Sequence, residues 1–191
     1  MILLTDTEIV DLINVNILEN ATPQNVLSIG YDLKPKAYYN ANKEYSEVVS
    51  LNPGDSIFVE CQESVSMPNN MIAQIQLRNS RIRQGLSLDA PIYQPGHNTP
   101  IYYRVTNISR SVIKLSKDDG TAYILFYFID SIPVKTYDGA FQNEYGEFFG
   151  MSSYSERYMK EMSETEDFSF LIMPFGEEWS NNMHDLIKQA G

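Results

Sequence analysis

The pattern of apolar and polar positions keeps a period of two residues from about Tyr31 to Ile129. Such alternation puts successive side chains on opposite faces of a strand, and these segments are rich in Val, Ile, Tyr and Phe. The pattern predicts strands at Tyr31–Tyr39, Glu44–Leu51, Ser56–Glu60, Met71–Leu77, Ile101–Ile108, Ser111–Leu115 and Ala122–Ile129. Turn-forming residues separate them at Asn52–Asp55, Met67–Asn70, Pro95–Asn98 and Lys117–Gly120. Many short strands at this spacing indicate a mainly β fold, either a β-sandwich or a jelly roll.

Ahead of the strands, the apolar spacing is that of a short helix from Thr5 to Ile17, with Ile9 and Leu12 on one face. Thr5 is followed three residues later by Glu8, which is the spacing of a capping box at a helix start. The sequence therefore predicts one amino-terminal helix before the sheets.

The composition changes after Phe149, so residues 1–150 are expected to form the first domain. Residues 151–167 contain Ser, Glu, Lys and Met without a sustained apolar period, which indicates a linker with partial helical character. Residues 168–191 then pass from the apolar run Phe168–Met173 through a Pro-Phe-Gly turn to a helical period, which predicts a βα unit. One such unit cannot cover both faces of a parallel strand. Truncation of a second domain is the favoured interpretation, and packing of the unit against the first domain is the alternative.

The charge and residue content narrow the class of protein. The net charge is -11 and 43% of the residues are hydrophobic, which suits a soluble domain with a real core. There is no apolar run long enough for a membrane span and no basic signal-peptide start, so a cytoplasmic location without membrane attachment is expected. Cys61, His97 and His184 are too few for a structural zinc site, and Cys61 is expected in the core. Strong acidity disfavours binding to duplex DNA.

A local reversal of charge occurs at residues 77–86, where Arg78, Arg81 and Arg83 fall within six positions. The planar donor fork of arginine matches phosphate oxygens, and Asn79 and Ser80 add neutral donors. The stretch is therefore a candidate anion site, and a nucleotide phosphate is the favoured ligand. A solvated surface cluster without a ligand is the alternative.

Six phrases around this stretch occur in a familiar order: Leu4-Thr5-Asp6 before the helix, Gly30-Tyr31-Asp32-Leu33, Leu51-x-Pro53-Gly54, Arg78-x-Ser80-x-x-Arg83, Pro95-Gly96 and Tyr137-x-Gly139-x-Phe141-Gln142. Over residues 1 to about 150 they resemble the dCTP deaminase and dUTPase superfamily, and the helical start and the tail phrase favour the deaminase branch. The resemblance implies a dUTPase-like β-sandwich. It also implies a homotrimer in which the tail around Tyr137 to Gln142 reaches across a subunit interface.

The resemblance also implies roles for individual residues. It assigns the phosphates of a nucleotide to Arg78, Asn79, Ser80 and Arg83, with Asn79 in place of the usual first serine. It places contacts with the base or sugar at four further positions, which are Gln94, Arg104, Tyr137 and Gln142.

The catalytic carboxylates of the family are missing at the corresponding positions. Arg104 stands where the deaminase branch has a glutamate that activates water, and a guanidinium cannot accept a proton at neutral pH. Gln94 replaces the aspartate before Pro-Gly, and Ala140 replaces a lysine of the tail phrase. Loss of a positioned base typically costs about 10²- to 10⁴-fold in rate. Asp89 is the nearby carboxylate that would have to replace it.

Three functions are left open at this point. The leading hypothesis is a nucleotide-binding sensor module without deaminase activity that regulates an attached domain. The second is an active dCTP deaminase or dUTP diphosphatase with a relocated base, and the third is a trimeric assembly domain without a ligand. Magnesium can be held largely by nucleotide phosphates, so the sequence leaves its use with a nucleotide open.

The attached domain has a resemblance of its own. The strand that runs into Met173-Pro174-Phe175-Gly176 resembles the opening of TIR-like and nucleoside deoxyribosyltransferase-like domains. The match covers only residues 168–191, so it implies the start of such a domain and no more.

Overall fold

The computed structural model describes residues 1–40 and 45–138. The strands within these residues are β1 (Ile2–Leu3), β2 (Leu18–Glu19), β3 (Tyr31–Asp32), β4 (Pro35–Tyr39), β5 (Tyr45–Ser46), β6 (Val48–Leu51), β7 (Ser56–Ser66), β8 (Met71–Leu77), β9 (Leu86–Asp89), β10 (Ile92–Tyr93), β11 (Asn98–Asn107), β12 (Ile113–Ser116) and β13 (Ala122–Phe128). The helices are α1 (Asp6–Asn14), a 3-10 turn (Pro23–Asn25) and α2 (Asn79–Gln84). The predicted linker, the predicted βα unit, Ala140 and Gln142 lie outside the described residues.

The strands form antiparallel sheets, so the prediction of a mainly β, dUTPase-like sandwich is confirmed. One sheet has the order β1-β13-β8-β10, with β3 also paired to β13. The second has the order β5-β4-β7-β11-β9, with β2 also paired to β7, and β12 pairs with β6 in a small third sheet. Buried side chains from both larger sheets form one apolar cluster. In β8, for example, alternate residues from Met71 to Leu77 are buried, as a period of two requires.

The amino-terminal helix begins as the sequence predicts and ends earlier. The Thr5 backbone N–H donates to Glu8 Oε2 at 2.8 Å, which is the return bond of the capping box. The helix ends at Asn14 because Val15 leaves the helical region and Asn16 has a φ of 58°. None of the helices in the described part of the chain is long and apolar enough to cross a membrane.

The single strand predicted over Tyr31–Tyr39 is two strands in different sheets. Its first half, β3, pairs with β13, and its second half, β4, pairs with β7. The chain therefore crosses from one sheet to the other at Leu33 and Lys34. Alternation alone could not reveal this, because a strand that changes sheets keeps the same period of two.

Candidate functional site

The arginine stretch forms a short helix, α2, which the sequence analysis did not predict. It follows β8 directly and ends at Gly85, whose φ of 91° is the left-handed conformation that terminates many helices. A Cβ at Gly85 would also lie 2.6 Å from the Cβ of Ser109, so glycine is required there on two counts. Because α2 turns its residues in different directions, the three arginines have different surroundings.

Arg78, at the start of α2, is bound to an acidic side chain of its own chain. Its Nε donates to Asp32 Oδ1 at 2.8 Å, and its Nη2 forms an ion pair with Asp32 Oδ2. The Asp32 side chain is only 13% exposed, against 37% for Arg78. The guanidinium lies over Gly120, where a Cβ would come within 2.6 Å of Nη1. Arg78 therefore joins β3 to the turn before β13, and Nη1 is the nitrogen left for a ligand by the Asp32 bonds.

Arg81 is buried, with 9% of its surface exposed. Its Nε donates to the Gly120 carbonyl at 3.2 Å, its Nη1 donates to Gln84 Oε1 at 2.9 Å, and its Nη2 lies 3.4 Å from Asp119 Oδ2. These partners satisfy the guanidinium inside the protein, so the solvated-surface interpretation is wrong for this residue. Arg81 ties α2 to the 117–120 turn.

The remaining polar side chains of α2 point outward. Asn79, Ser80 and Arg83 are all exposed, and none of their side chains hydrogen-bonds to the part of the chain that the structure describes. Of the four phosphate-binding positions that the sequence predicts, these three keep their donors available to a ligand.

An open groove lies beside this surface of α2. Its volume is about 290 Å³, close to the lower end for ligand pockets. Its lining combines apolar side chains with polar surface and consists of Ile75, Gln76, Leu77, Ile82, Leu88 and Ala90. Ile82 belongs to α2 itself, so the groove and the exposed donors share one element. A groove of mixed polarity beside exposed donors suits a base or sugar that carries phosphates.

The predicted replacement base, Asp89, is paired with the residue at the family's general-base position. Asp89 and Arg104 are direct neighbours across β9 and β11. Arg104 Nε and Nη2 both donate to Asp89 Oδ2, at 3.0 and 2.7 Å. The two residues thus form one exposed, oppositely charged pair, and the accepting oxygen Oδ2 of Asp89 is directed to Arg104.

The Pro-Gly turn brings Gln94 and Tyr137 together through His97. The Gln94 backbone N–H donates to His97 Nδ1 at 2.8 Å, and the His97 ring stacks on Tyr137 with 3.6 Å between ring centroids. The Gln94 side chain is exposed. Tyr137 contacts His97 of its own chain, and the expectation that the tail around Tyr137 to Gln142 reaches across a subunit interface stays a prediction. Burial lowers the pKa of His97.

The two buried acidic or nucleophilic groups on β7 have structural surroundings. Cys61 is in the core, as predicted, and burial raises the pKa of its thiol well above the usual value, which disfavours the reactive thiolate. Glu63 accepts hydrogen bonds from the Tyr31 hydroxyl and the Lys34 backbone N–H, each at 3.1 Å. Within the described residues, no three His, Cys, Asp or Glu side chains converge in a way that could hold a metal ion.

Sequence reasoning missed the partners of the arginines. Asp32 lies in the Gly30–Leu33 phrase of the sequence. Nothing in the sequence indicates that it contacts Arg78, which is 46 positions further along the chain. The same holds for Asp119 and Gly120 beside Arg81, because turn residues predict a turn and not its neighbour. An excess of acidic residues was the one available signal that the arginines would be paired.

Comparisons with known proteins agree with the fold. Residues 37–129 match the family model described as dCTP deaminase-like. The structure resembles the 2'-deoxycytidine 5'-triphosphate deaminase of Agrobacterium tumefaciens with a TM-score of 0.57 and 16% identity, over 66% of this chain and 48% of that chain. This chain therefore spans about half the length of that relative.

Two dUTPases show weaker similarity. The EIAV dUTPase matches with a TM-score of 0.46 and 21% identity, over 58% of this chain and 84% of that one. A point mutant of the dUTPase from phage phi11 of S. aureus matches with a TM-score of 0.44 and 13% identity, over 58% of this chain and 83% of that one. No curated protein matches the sequence. Residues 37–129 are thus similar to the dCTP deaminase-like family model, and the fold is similar to that of a dCTP deaminase.

Proposed function

We propose that this domain is a nucleotide-binding module that lacks deaminase activity. The observation that carries the proposal is the groove beside α2 together with the outward side chains of Asn79, Ser80 and Arg83. In this proposal the groove receives the base or sugar, and the three side chains contact the phosphates. Arg83 supplies the main positive charge, since Arg78 and Arg81 are already bound to acidic partners.

The lack of deaminase activity follows from the pair at the general-base position. A deaminase must remove a proton from water, and Arg104 has no acceptor for it. Asp89 is held by the same arginine at 2.7 Å, so activation of water at Oδ2 would first require that bond to break. We expect that purified protein neither deaminates dCTP nor hydrolyses dUTP.

Calorimetry with a panel of deoxynucleotides and cyclic nucleotides, with and without Mg²⁺, tests the binding proposal. Arg83→Ala removes charge-assisted hydrogen bonds of about 1.5 to 3 kcal/mol, so binding should weaken about ten- to a hundredfold. Lys36→Ala is the matched control, because Lys36 is an exposed cation on β4 that pairs with Glu60. It should leave the affinity unchanged.

Two outcomes would count against the proposal. Equal loss of affinity in Arg83→Ala and Lys36→Ala would mean that the ligand responds to net charge and not to α2. Absence of binding across the whole panel would favour the assembly hypothesis. That hypothesis has its own support, since Arg78 and Arg81 already serve as structural residues.

Assembly and regulation are two further parts of the proposed function. Following the family resemblance, we propose a cytoplasmic homotrimer in which each groove is completed by a neighbouring subunit. Light scattering tests this, and a species of 21.9 kDa at micromolar concentration would contradict it. We also propose that nucleotide occupancy regulates a TIR-like or deoxyribosyltransferase-like domain that begins with residues 168–191. Sequencing the reading frame beyond Gly191 tests whether such a domain follows.

A further inference from the structure

The buried histidine of the Pro95–His97 turn contacts the segment that leads out of the β domain. His97 is 6% exposed, and its ring lies between two tyrosines. Tyr137 stacks on one face at an interplanar angle of 27°, and Tyr93 meets the ring edge at 71° with 5.7 Å between centroids. Thr136 and Tyr137, which we call the anchor segment, come at the end of the described residues.

The anchor segment is also held by backbone contacts. The Tyr137 N–H donates to the Pro95 carbonyl at 2.8 Å. Gly96 has a φ of 87°, and a Cβ at this position would lie 2.9 Å from the Cβ of Thr136. Thr136 therefore packs directly against Gly96, and the lack of a side chain at Gly96 leaves space for it. The ring stack, the backbone hydrogen bond and the close approach to Gly96 all involve Thr136 or Tyr137.

The hydrogen bond from the Gln94 backbone N–H determines which protonation state of the His97 ring is compatible with this structure. Nδ1 of His97 accepts from the Gln94 N–H at 2.8 Å, so Nδ1 must carry a lone pair and the ring proton must be on Nε2. A second proton would enter at Nδ1 and face a backbone N–H, which places two donors against each other. Protonation therefore breaks this bond and puts a charge in a buried site.

We propose that His97 is a titratable latch: the neutral ring holds the anchor segment on the Pro95–His97 turn, and protonation releases it. The latch does not depend on nucleotide binding. Because Gln94 and Tyr137 both contact His97, release also moves apart two positions at which the family resemblance implies contacts with a base or sugar.

Within the described residues, the ring contacts of His97 include no carboxylate that could stabilise the imidazolium. The titratable side chains in contact with the ring are the phenols of Tyr93 and Tyr137, and Asp138 follows Tyr137 as an exposed residue. A cation–π contact with Tyr137 would stabilise the imidazolium only weakly. A buried donor left unpaired costs more than that contact returns, so the balance favours release.

The sign of the pH dependence follows from the lowered pKa of His97. The open state keeps the ordinary histidine pKa of about 6.5, so below that pH it binds more protons than the latched state. The latch is therefore fully stable above about pH 6.5 and weakens as pH falls towards the lowered pKa. The limiting slope is about tenfold per pH unit.

Residue-resolved hydrogen exchange of the Tyr137 amide tests the latch. After correction for the intrinsic exchange rate, protection in the wild type should be lower at pH 5.5 than at pH 7.5, by at most about tenfold. His97→Gln retains an acceptor for the Gln94 N–H and does not titrate, so it should remove the pH dependence. His184 is the second of two histidines in the chain, and His184→Gln should behave as the wild type. Equal protection at both pH values in the wild type, or an unchanged fall in His97→Gln, would overturn the proposal.

A pair of glycine variants makes the test independent of the histidine substitution. Gly96→Ala adds a Cβ where the anchor segment lies, so the Tyr137 amide should lose protection already at pH 7.5. Gly54→Ala carries the same backbone strain at a φ of 89°, but nothing lies within 4 Å of its Cβ. It should leave Tyr137 protected. Equal protection of Tyr137 in the two variants would show that the segment does not rest on Gly96, which would overturn the latch.

Discussion

Two arginine–aspartate pairs lie at positions where the family resemblance predicts ligand contacts, and they differ in burial. In the Arg78–Asp32 pair the carboxylate side chain is 13% exposed, and the arginine bridges β3 and the turn before β13. In the Arg104–Asp89 pair the carboxylate is 61% exposed, and the two residues are neighbours on adjacent strands. An ion pair screened by water contributes little to stability, whereas a shielded one leaves a costly charge when one partner is lost. The Arg78–Asp32 pair therefore stabilises the fold, whereas the Arg104–Asp89 pair lies at the surface and contributes little to stability.

The largest effect is expected from breaking the shielded pair. Asp32→Asn leaves the Arg78 charge without its counter-ion, and we expect the free energy of unfolding to fall by about 2 kcal/mol. This is less than the 3 to 5 kcal/mol typical of a fully buried pair, because Arg78 is partly exposed. Urea denaturation measures it. An Asp32→Asn midpoint equal to that of the wild type would show that solvent screens this pair as well.

A smaller effect is expected at the buried arginine of α2. Arg81→Met keeps the length and apolar stem of the side chain but removes the hydrogen bonds to Gly120 and Gln84. We expect a net loss of about 1 kcal/mol, because the hydrogen bonds of the guanidinium and its ion pair with Asp119 are lost, while methionine avoids the cost of burying the charge. The same denaturation experiment measures it, with Ile82→Met as a control for a methionine at an exposed α2 position. A stabilised Arg81→Met protein would mean that burial of the charge costs more than its bonds return.

The smallest effect on stability is expected at the exposed pair. Asp89→Asn should change the free energy of unfolding by less than about 1 kcal/mol, as for other solvent-exposed ion pairs. The difference between the Asp89→Asn and wild-type midpoints should shrink as salt is added, because salt screens the pair in the wild type. A loss as large as that of Asp32→Asn would remove the distinction between the two pairs.

The exposed pair also permits a sharp test of latent catalysis. Arg104→Ala removes the donors that hold Asp89 Oδ2 and leaves that carboxylate in place. We expect no deamination of dCTP in this variant, because Gln94 still replaces the second carboxylate of the family. A discontinuous assay for dUTP formation measures this. Turnover that appears in Arg104→Ala and disappears in Arg104→Ala/Asp89→Asn would identify Asp89 as a masked base.

Sequence by itself determined the class of fold and nominated the residues of the candidate site. Alternating apolar residues, as in Met71–Leu77, predict strands because one face of each must be buried, and the β8 bounds were predicted without error. The capping box at Thr5 and Glu8 is equally local, and so was recoverable from the sequence. The arginine cluster and the missing carboxylates at Gln94 and Arg104 were likewise visible as residue types in order.

Only the tertiary structure decided what each charged residue does. Arg78, Arg81 and Arg83 lie within six positions, yet they bind Asp32, bind the 117–120 turn, and face solvent, respectively. The physical reason is that helical rotation sends neighbours in sequence to different sides, while sheet pairing brings residues about 30 to 50 positions apart into contact. Charge density along a sequence predicts an electrostatic potential, but the dielectric surroundings and partner of each charge depend on the packed structure.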